Sequence, residues 1–197
     1  MNISRSVVAT AIGATLLMVP VAGVSAQDVS EGVPHTGHTD VAPAVALGRQ
    51  HELATVRMVT ARFHRLEAAT DAGYELGYVN GAGNRIITGC IAHPTAGVMG
   101  YHYFNKALID DLVVDVERPE GLVYTSGPEG QLRLVAVEYV VPGAGSNPPG
   151  VSEPPTVLGM PMHILVPAVG FYIQHVWVWS HNPAGLYVDW NPELTCP

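Results

Sequence analysis

Lysine is almost absent from this 197-residue chain: Lys106 is the only one. A lysine nucleophile or Schiff base is therefore not the expected chemistry. Positive charge is scarce in general. Lys and Arg together number 9 against 17 Asp and Glu, a net charge of −8. Such a surface repels phosphate backbones and anionic headgroups, which excludes nucleic acid as a partner and argues against docking on anionic lipid. Cysteine is equally sparse. Cys90 and Cys196 are the only two, with no Cys-x-x-Cys spacing, so a thiolate zinc site is disfavoured. The standard catalytic signatures are also missing. The chain has no Gly-x-Ser-x-Gly, no phosphate-binding glycine loop, no His-Glu-x-x-His and no dinucleotide fingerprint.

The N-terminus reads as an export signal. Arg5 opens it, Val7 to Val24 is apolar and uncharged but broken by Pro20, and Val24-Ser25-Ala26 offers small side chains to a signal peptidase. The expected cut lies between Ala26 and Gln27, so residues 1–26 are a signal peptide and the protein is secreted, extracellular or periplasmic. A membrane anchor would need about 20 uninterrupted apolar residues. No later segment provides them. Without Arg5 the mature chain carries 8 basic and 17 acidic side chains, a net charge of −9. In an oxidising compartment two cysteines predict a Cys90–Cys196 disulfide. Its loop of roughly 100 residues is worth about 4–5 kcal/mol in the chain-entropy account.

Residues 27–48 lack periodicity and read as a flexible lead-in, with His35 and His38 as solvated side chains. Residues 49–197 are expected to form one globular domain. The spacing predicts a helix over 50–72, with Leu53, Val56, Val59, Phe63, Leu66 and Ala69 on one stripe and Gly73 as its C-terminal cap. Strands are expected at 74–79, 84–88, 98–104, 121–125, 131–141 and 171–179. One long helix followed by strands implies an α+β fold. The helix would pack on, or plug into, a curved and mainly antiparallel sheet or small barrel. The connection 142–170 carries seven prolines and five glycines. It suits either a lid over a pocket or a stiff surface wrap.

Histidine is the informative residue type. His102 lies in Met99-Gly-Tyr-His-Tyr-Phe104 and His175 in Phe171-Tyr-Ile-Gln-His-Val-Trp-Val-Trp179. Glu138 is expected to share a strand face with Leu134, Ala136 and Val140. Ionisable groups among apolar strand residues must satisfy one another, a metal or a ligand. Two imidazoles and a carboxylate, with His163 as fourth member, could hold zinc or copper and leave a position open. Two other readings stand beside it: local hydrogen bonding, with Glu138 paired to Arg57, and acid–base chemistry without metal. His175 would share its face with Phe171, Ile173, Trp177 and Trp179. Tyr101, Tyr103, Trp177 and Trp179 are read as core. His51, His64 and His93 are read as surface or helix residues.

The helix ending Asp71-Ala-Gly-Tyr74, Gly-Tyr-His-Tyr at 100–103, the strand Leu134–Tyr139, and the ending His175-Val-Trp…Asp189-Trp-Asn-Pro…Cys196 resemble a family of uncharacterised secreted bacterial proteins. The resemblance covers most of 50–197. It implies export, one fold unit, and His102, Glu138, His175 and Cys196 as part of a shared pattern; it implies no activity. The expected function is a secreted protein that binds or transforms a small molecule at a His/Glu centre. The rival is a non-catalytic extracellular binding or cell-wall interaction module with structural histidines.

Overall fold

A computed structural model describes residues 41–164 and 169–197. The expected signal peptide and the first part of the lead-in, residues 27–40, lie outside the described residues. The second part does not behave as a lead-in. Helix α1 starts at Val41 and runs to Thr60, so the helical segment begins nine residues before the expected start. None of the described helices is long and apolar enough to cross a membrane.

The expected single helix over 50–72 is interrupted. After α1 comes a 3-10 turn, Ala61–His64, then extended Arg65, then a short helix α2, Leu66–Asp71. No Gly or Pro marks the break. Instead the Thr60 hydroxyl bonds back to the Val56 carbonyl at 2.6 Å and accepts the Trp179 indole N–H at 3.1 Å. Such back-bonding competes with the helical ladder. The Phe63 carbonyl freed by the break accepts the Tyr124 hydroxyl at 2.7 Å. The apolar stripe survives the interruption, with Val56, Phe63 and Ala69 buried in one cluster and Leu53 and Leu66 packed on it. Gly73 ends α2 with φ +89, the left-handed cap that glycine adopts most readily.

The strands follow in chain order. They are β1 Tyr74–Leu76, β2 Tyr78–Val79, β3 Arg85–Ile86, β4 Ile91–His93 and β5 Gly97–Asn105. After the short helix α3, Lys106–Asp110, come β6 Gly121–Ser126, β7 Leu132–Pro142, β8 Thr156–Val157, β9 Met160–Pro161, β10 His163–Ile164 and β11 Phe171–Val176. Gly77, at φ +73, splits the expected 74–79 strand. Its first half joins the main sheet, while its second half pairs with β3 in a separate hairpin.

The main sheet has seven strands in the order β1-β5-β6-β7-β11-β10, with β4 also on β5, and its named pairings are antiparallel. It is open between β1 and β10, so the barrel alternative does not hold. The ten-residue stretch Leu132–Val141 is a central strand covered on both faces, as its apolar pattern requires.

One face of the sheet packs against the helices through Leu122, Tyr124, Val137, Tyr139, Val141 and Val176. Much of the proline-rich connection lies on that side too, because Val157, Leu158 and Met162 join the same cluster. The wrap reading therefore describes it better than a lid. The opposite face carries a second cluster of Met99, Phe104, Val140, Phe171 and Ile173, with Tyr78 and Ile109. Beside it the Cys90–Cys196 disulfide closes with a Cα separation of 5.8 Å, fastening the C-terminus to the segment between β3 and β4. Gly97 admits this tail. A Cβ there would lie 2.2 Å from the Asn191 carbonyl oxygen, whose residue exchanges both backbone bonds with Val98.

Candidate functional site

His102, Glu138 and His175 all lie on the face away from the helices. They are 1 %, 3 % and 0 % exposed. Sheet register explains how they meet. Glu138 stands directly opposite His175 on β11 and opposite Gly121 on β6. Gly121 in turn stands opposite Phe104 on β5, two residues from His102. Gly121 has no side chain between Glu138 and Phe104, and a Cβ there would sit 3.1 Å from the Glu138 Cβ and 3.2 Å from the Phe104 ring. That gap lets the carboxyl and the imidazole reach across β6. Glu138 Oε2 lies 3.5 Å from His102 Nε2. The His102 and His175 rings are edge-on with centroids 6.1 Å apart.

Over this floor is a cavity of about 300 Å³. Met99, Phe104, Val140, Phe171 and Ile173 form its walls, and the partly exposed Ile87, Ile91 and Val169 form its rim. Among the described residues, His102 and Glu138 are its only ionisable lining groups. Ile87 has φ +58, a costly conformation for a β-branched residue and one found at functional sites more often than elsewhere.

Burial dominates the electrostatics. It pushes the Glu138 carboxyl up to about 8, with the neighbouring carboxyls of Asp189 and Glu120 acting in the same direction. It pushes the His102 imidazole down to about 4, against a smaller opposing effect of the Gly100 carbonyl. His175 goes well down for the same reason, with His102 adding to it. At neutral pH the pair is thus a carboxylic acid beside an unprotonated imidazole, a proton donor next to an acceptor. Among the described residues none of the four ring nitrogens of His102 and His175 makes a hydrogen bond of good geometry, although the Gly100 carbonyl and Glu138 Oε2, at 3.5 Å, stand near the His102 ring. A buried polar group left in that state costs about 1–3 kcal/mol.

His163 does not join the centre. It pairs with Ile173 across β10 and β11, which puts two strand spacings between it and β7, on the order of 10 Å. Its Nε2 instead contacts Asp189 Oδ2 at 3.0 Å in a half-exposed pair. Among the described residues no group of three or more His, Cys, Asp or Glu is placed to hold a metal ion. Glu138 does not pair with Arg57, whose Nε donates to the Val178 carbonyl on the helix side.

Two expected neighbours also change sides. Leu134 packs on the helix face, because a bulge in the β6–β7 pairing skips Val135 and reverses the alternation below it. Trp179 lies beyond the end of β11 and binds Thr60 on the helix side, while Trp177 packs with Val123, Val135 and Ala136. His64 stacks edge-on against Trp179, and His93 Nδ1 accepts the Thr95 and Ala96 backbone N–H groups.

Sequence reasoning missed Glu120, which is 1 % exposed. Its Oε2 accepts the Val140 N–H at 2.9 Å where β6 has just begun, and burial raises it to about 8. It missed Asp189 and Gly121 as well. A glycine inside a strand is a known mark of close approach, so Gly121 was the findable signal. No family model, no curated protein and no solved structure matches this chain. The likeness to secreted bacterial proteins therefore rests on the quoted sequence elements alone.

Proposed function

We propose that this protein binds a compact, mainly apolar small molecule in the cavity beneath Ile87, Ile91 and Val169, with His102 and Glu138 gripping its polar end. The observation that carries this reading is the coincidence of an apolar cavity with the fully buried His102 imidazole and Glu138 carboxyl at its floor, neither closed by a hydrogen bond of good geometry to the other. Structural histidines would have closed their hydrogen bonds within the protein. An apolar enclosure with a few convergent polar groups is the usual form of a small-molecule site, and the volume lies at the small end of the range. Export, which the N-terminal segment and the disulfide support, would place that binding outside the cytoplasm. A divalent metal, zinc or copper, would require the two rings and the carboxyl to close on one point.

The test is a fragment titration followed by NMR of the Met99 methyl and the His102 and His175 rings. Binders should shift these signals together, and His102→Phe should remove most of the binding. Binders that leave all three signals unmoved would overturn the reading. Elemental analysis of exported protein, with zinc and copper titrated into the same samples, decides whether a metal ever occupies the centre.

A further inference from the structure

We infer that the polar end of the ligand is a cation, so that the cavity selects a small hydrophobic amine. This rests on the cavity being a ligand site. The argument begins from what the floor contains. Glu138 is the one lining group able to carry a charge that a ligand could complement, since His102 resists protonation when buried. Among the described residues no Lys or Arg lines the cavity. Arg85, on the adjacent hairpin, bonds Glu75 and the Leu76 carbonyl instead.

The groups that act on Glu138 from each neighbouring element are known. His102 contacts it from β5, His175 faces it from β11, and Asp189 and Glu120 act from the C-terminal segment and from the residue before β6. Within β7 itself the other residues around it, Ala136, Val137, Tyr139 and Val140, bring no ionised group. None of this set is a cation: burial keeps both rings unprotonated and holds Glu138 and Glu120 as acids near neutral pH.

An anionic ligand would find no compensating cation in a medium where Coulomb forces are strong. A neutral ligand would satisfy a hydrogen bond and leave Glu138 an acid. An ammonium group supplies the missing partner. Glu138 ionises against it, His102 Nε2 can accept one of its N–H groups, and the Phe104 and Phe171 side chains enclose its carbon skeleton. The proton balance follows directly. The amine arrives as an ammonium ion, Glu138 arrives as a carboxylic acid, and forming the ion pair releases one proton to solvent.

The experiment compares three molecules of one skeleton: phenethylamine, phenethyl alcohol and phenylacetate. Binding is followed by NMR of Met99 and His102 and by calorimetry in buffers of different ionisation enthalpy. The amine should bind at least about tenfold tighter than the alcohol, the value of one modest charge contact, and phenylacetate should bind weakest. The amine should release one proton per site, its affinity rising by about tenfold per pH unit up to the pH at which Glu138 ionises. Glu138→Gln should keep alcohol binding and abolish both the amine preference and the proton release. If the alcohol or phenylacetate equals the amine at the same signals, the amine inference fails and the binding site stands. If none of the three moves those signals, both fail.

Discussion

The two faces of the central sheet are equally buried but treat their polar groups differently. On the helix face the hydroxyls of Tyr74, Tyr124 and Tyr139 each donate to a backbone carbonyl, of Pro119, Phe63 and Val116 respectively. Thr60 and Trp179 satisfy each other, while the Tyr187 hydroxyl and Arg49 Nε are exceptions. On the cavity face no ring nitrogen of His102 or His175 makes a hydrogen bond of good geometry, and burial holds Glu138 as an acid. Burial by itself therefore says nothing about function here. What distinguishes the faces is whether folding alone completes the hydrogen bonding. Among the described residues the helix face closes most of its hydrogen bonds within the chain, whereas the two histidine rings of the cavity face do not.

The largest expected effect comes from uncoupling the cavity rim. Cys90 lies between the rim residues Ile87 and Ile91, and its bond to Cys196 spans 106 residues. Replacing both by Ser should destabilise the fold by about 4–5 kcal/mol, measured by urea unfolding. Hydrogen exchange should rise first in β4 and the C-terminal segment, with the helix face opening last.

The next effect is a pH dependence that belongs mostly to the cavity face. A glutamate in the unfolded chain loses its proton near 4.5, whereas Glu138 keeps its own to about 8. The folded state thus binds more protons between those values, and stability falls as pH rises from 4.5 to 8. The magnitude is on the order of 3–5 kcal/mol per group, with Glu120 contributing in the same direction. His102 acts on the other side. An unfolded imidazole gains a proton near 6.5 that the buried ring refuses until about 4, so stability also falls as pH drops through that window. Unfolding free energies should therefore peak between about 4.5 and 6.5. Glu138→Gln should flatten the alkaline limb, and His102→Phe the acid limb.

Tyr124→Phe sharpens the contrast from the other side. It strands the Phe63 carbonyl and should cost about 1–2 kcal/mol, with no change in the cavity signals. Gly121→Ala should cost no more than about 1–2 kcal/mol, yet it pushes Glu138 and Phe104 apart and should weaken cavity ligands at least about tenfold. The smallest effect is expected at His163. His163 is 44 % exposed although Asp189 is only 13 % exposed, so His163→Ala should cost about 1 kcal/mol. Ligand affinity should stay within a factor of two to three.

The apolar stripe Leu53–Ala69, the left-handed Gly73, the central strand and the disulfide partners could all be read from the chain, because each depends on local periodicity, local backbone freedom or a count of two. The convergence of His102, Glu138 and His175 was legible for a related reason. Placing ionisable side chains within apolar strands leaves few ways to satisfy them. The helix break at Thr60 was not legible, since it is driven by Trp179, 119 residues away. The side change at Leu134 was not legible either, because it needs the bulge at Val135.

By itself, then, the sequence determined an acidic α+β chain, its principal strands and the three ionisable groups that had to be reconciled. Only the tertiary structure decided which strand lies beside which. That order set His163 two strands from Glu138 and beside Asp189, and placed the empty position of Gly121 between Glu138 and Phe104. The physical reason is that alternation along a strand chooses a face, whereas position across the sheet is chosen by long-range pairing, on which local pattern is silent.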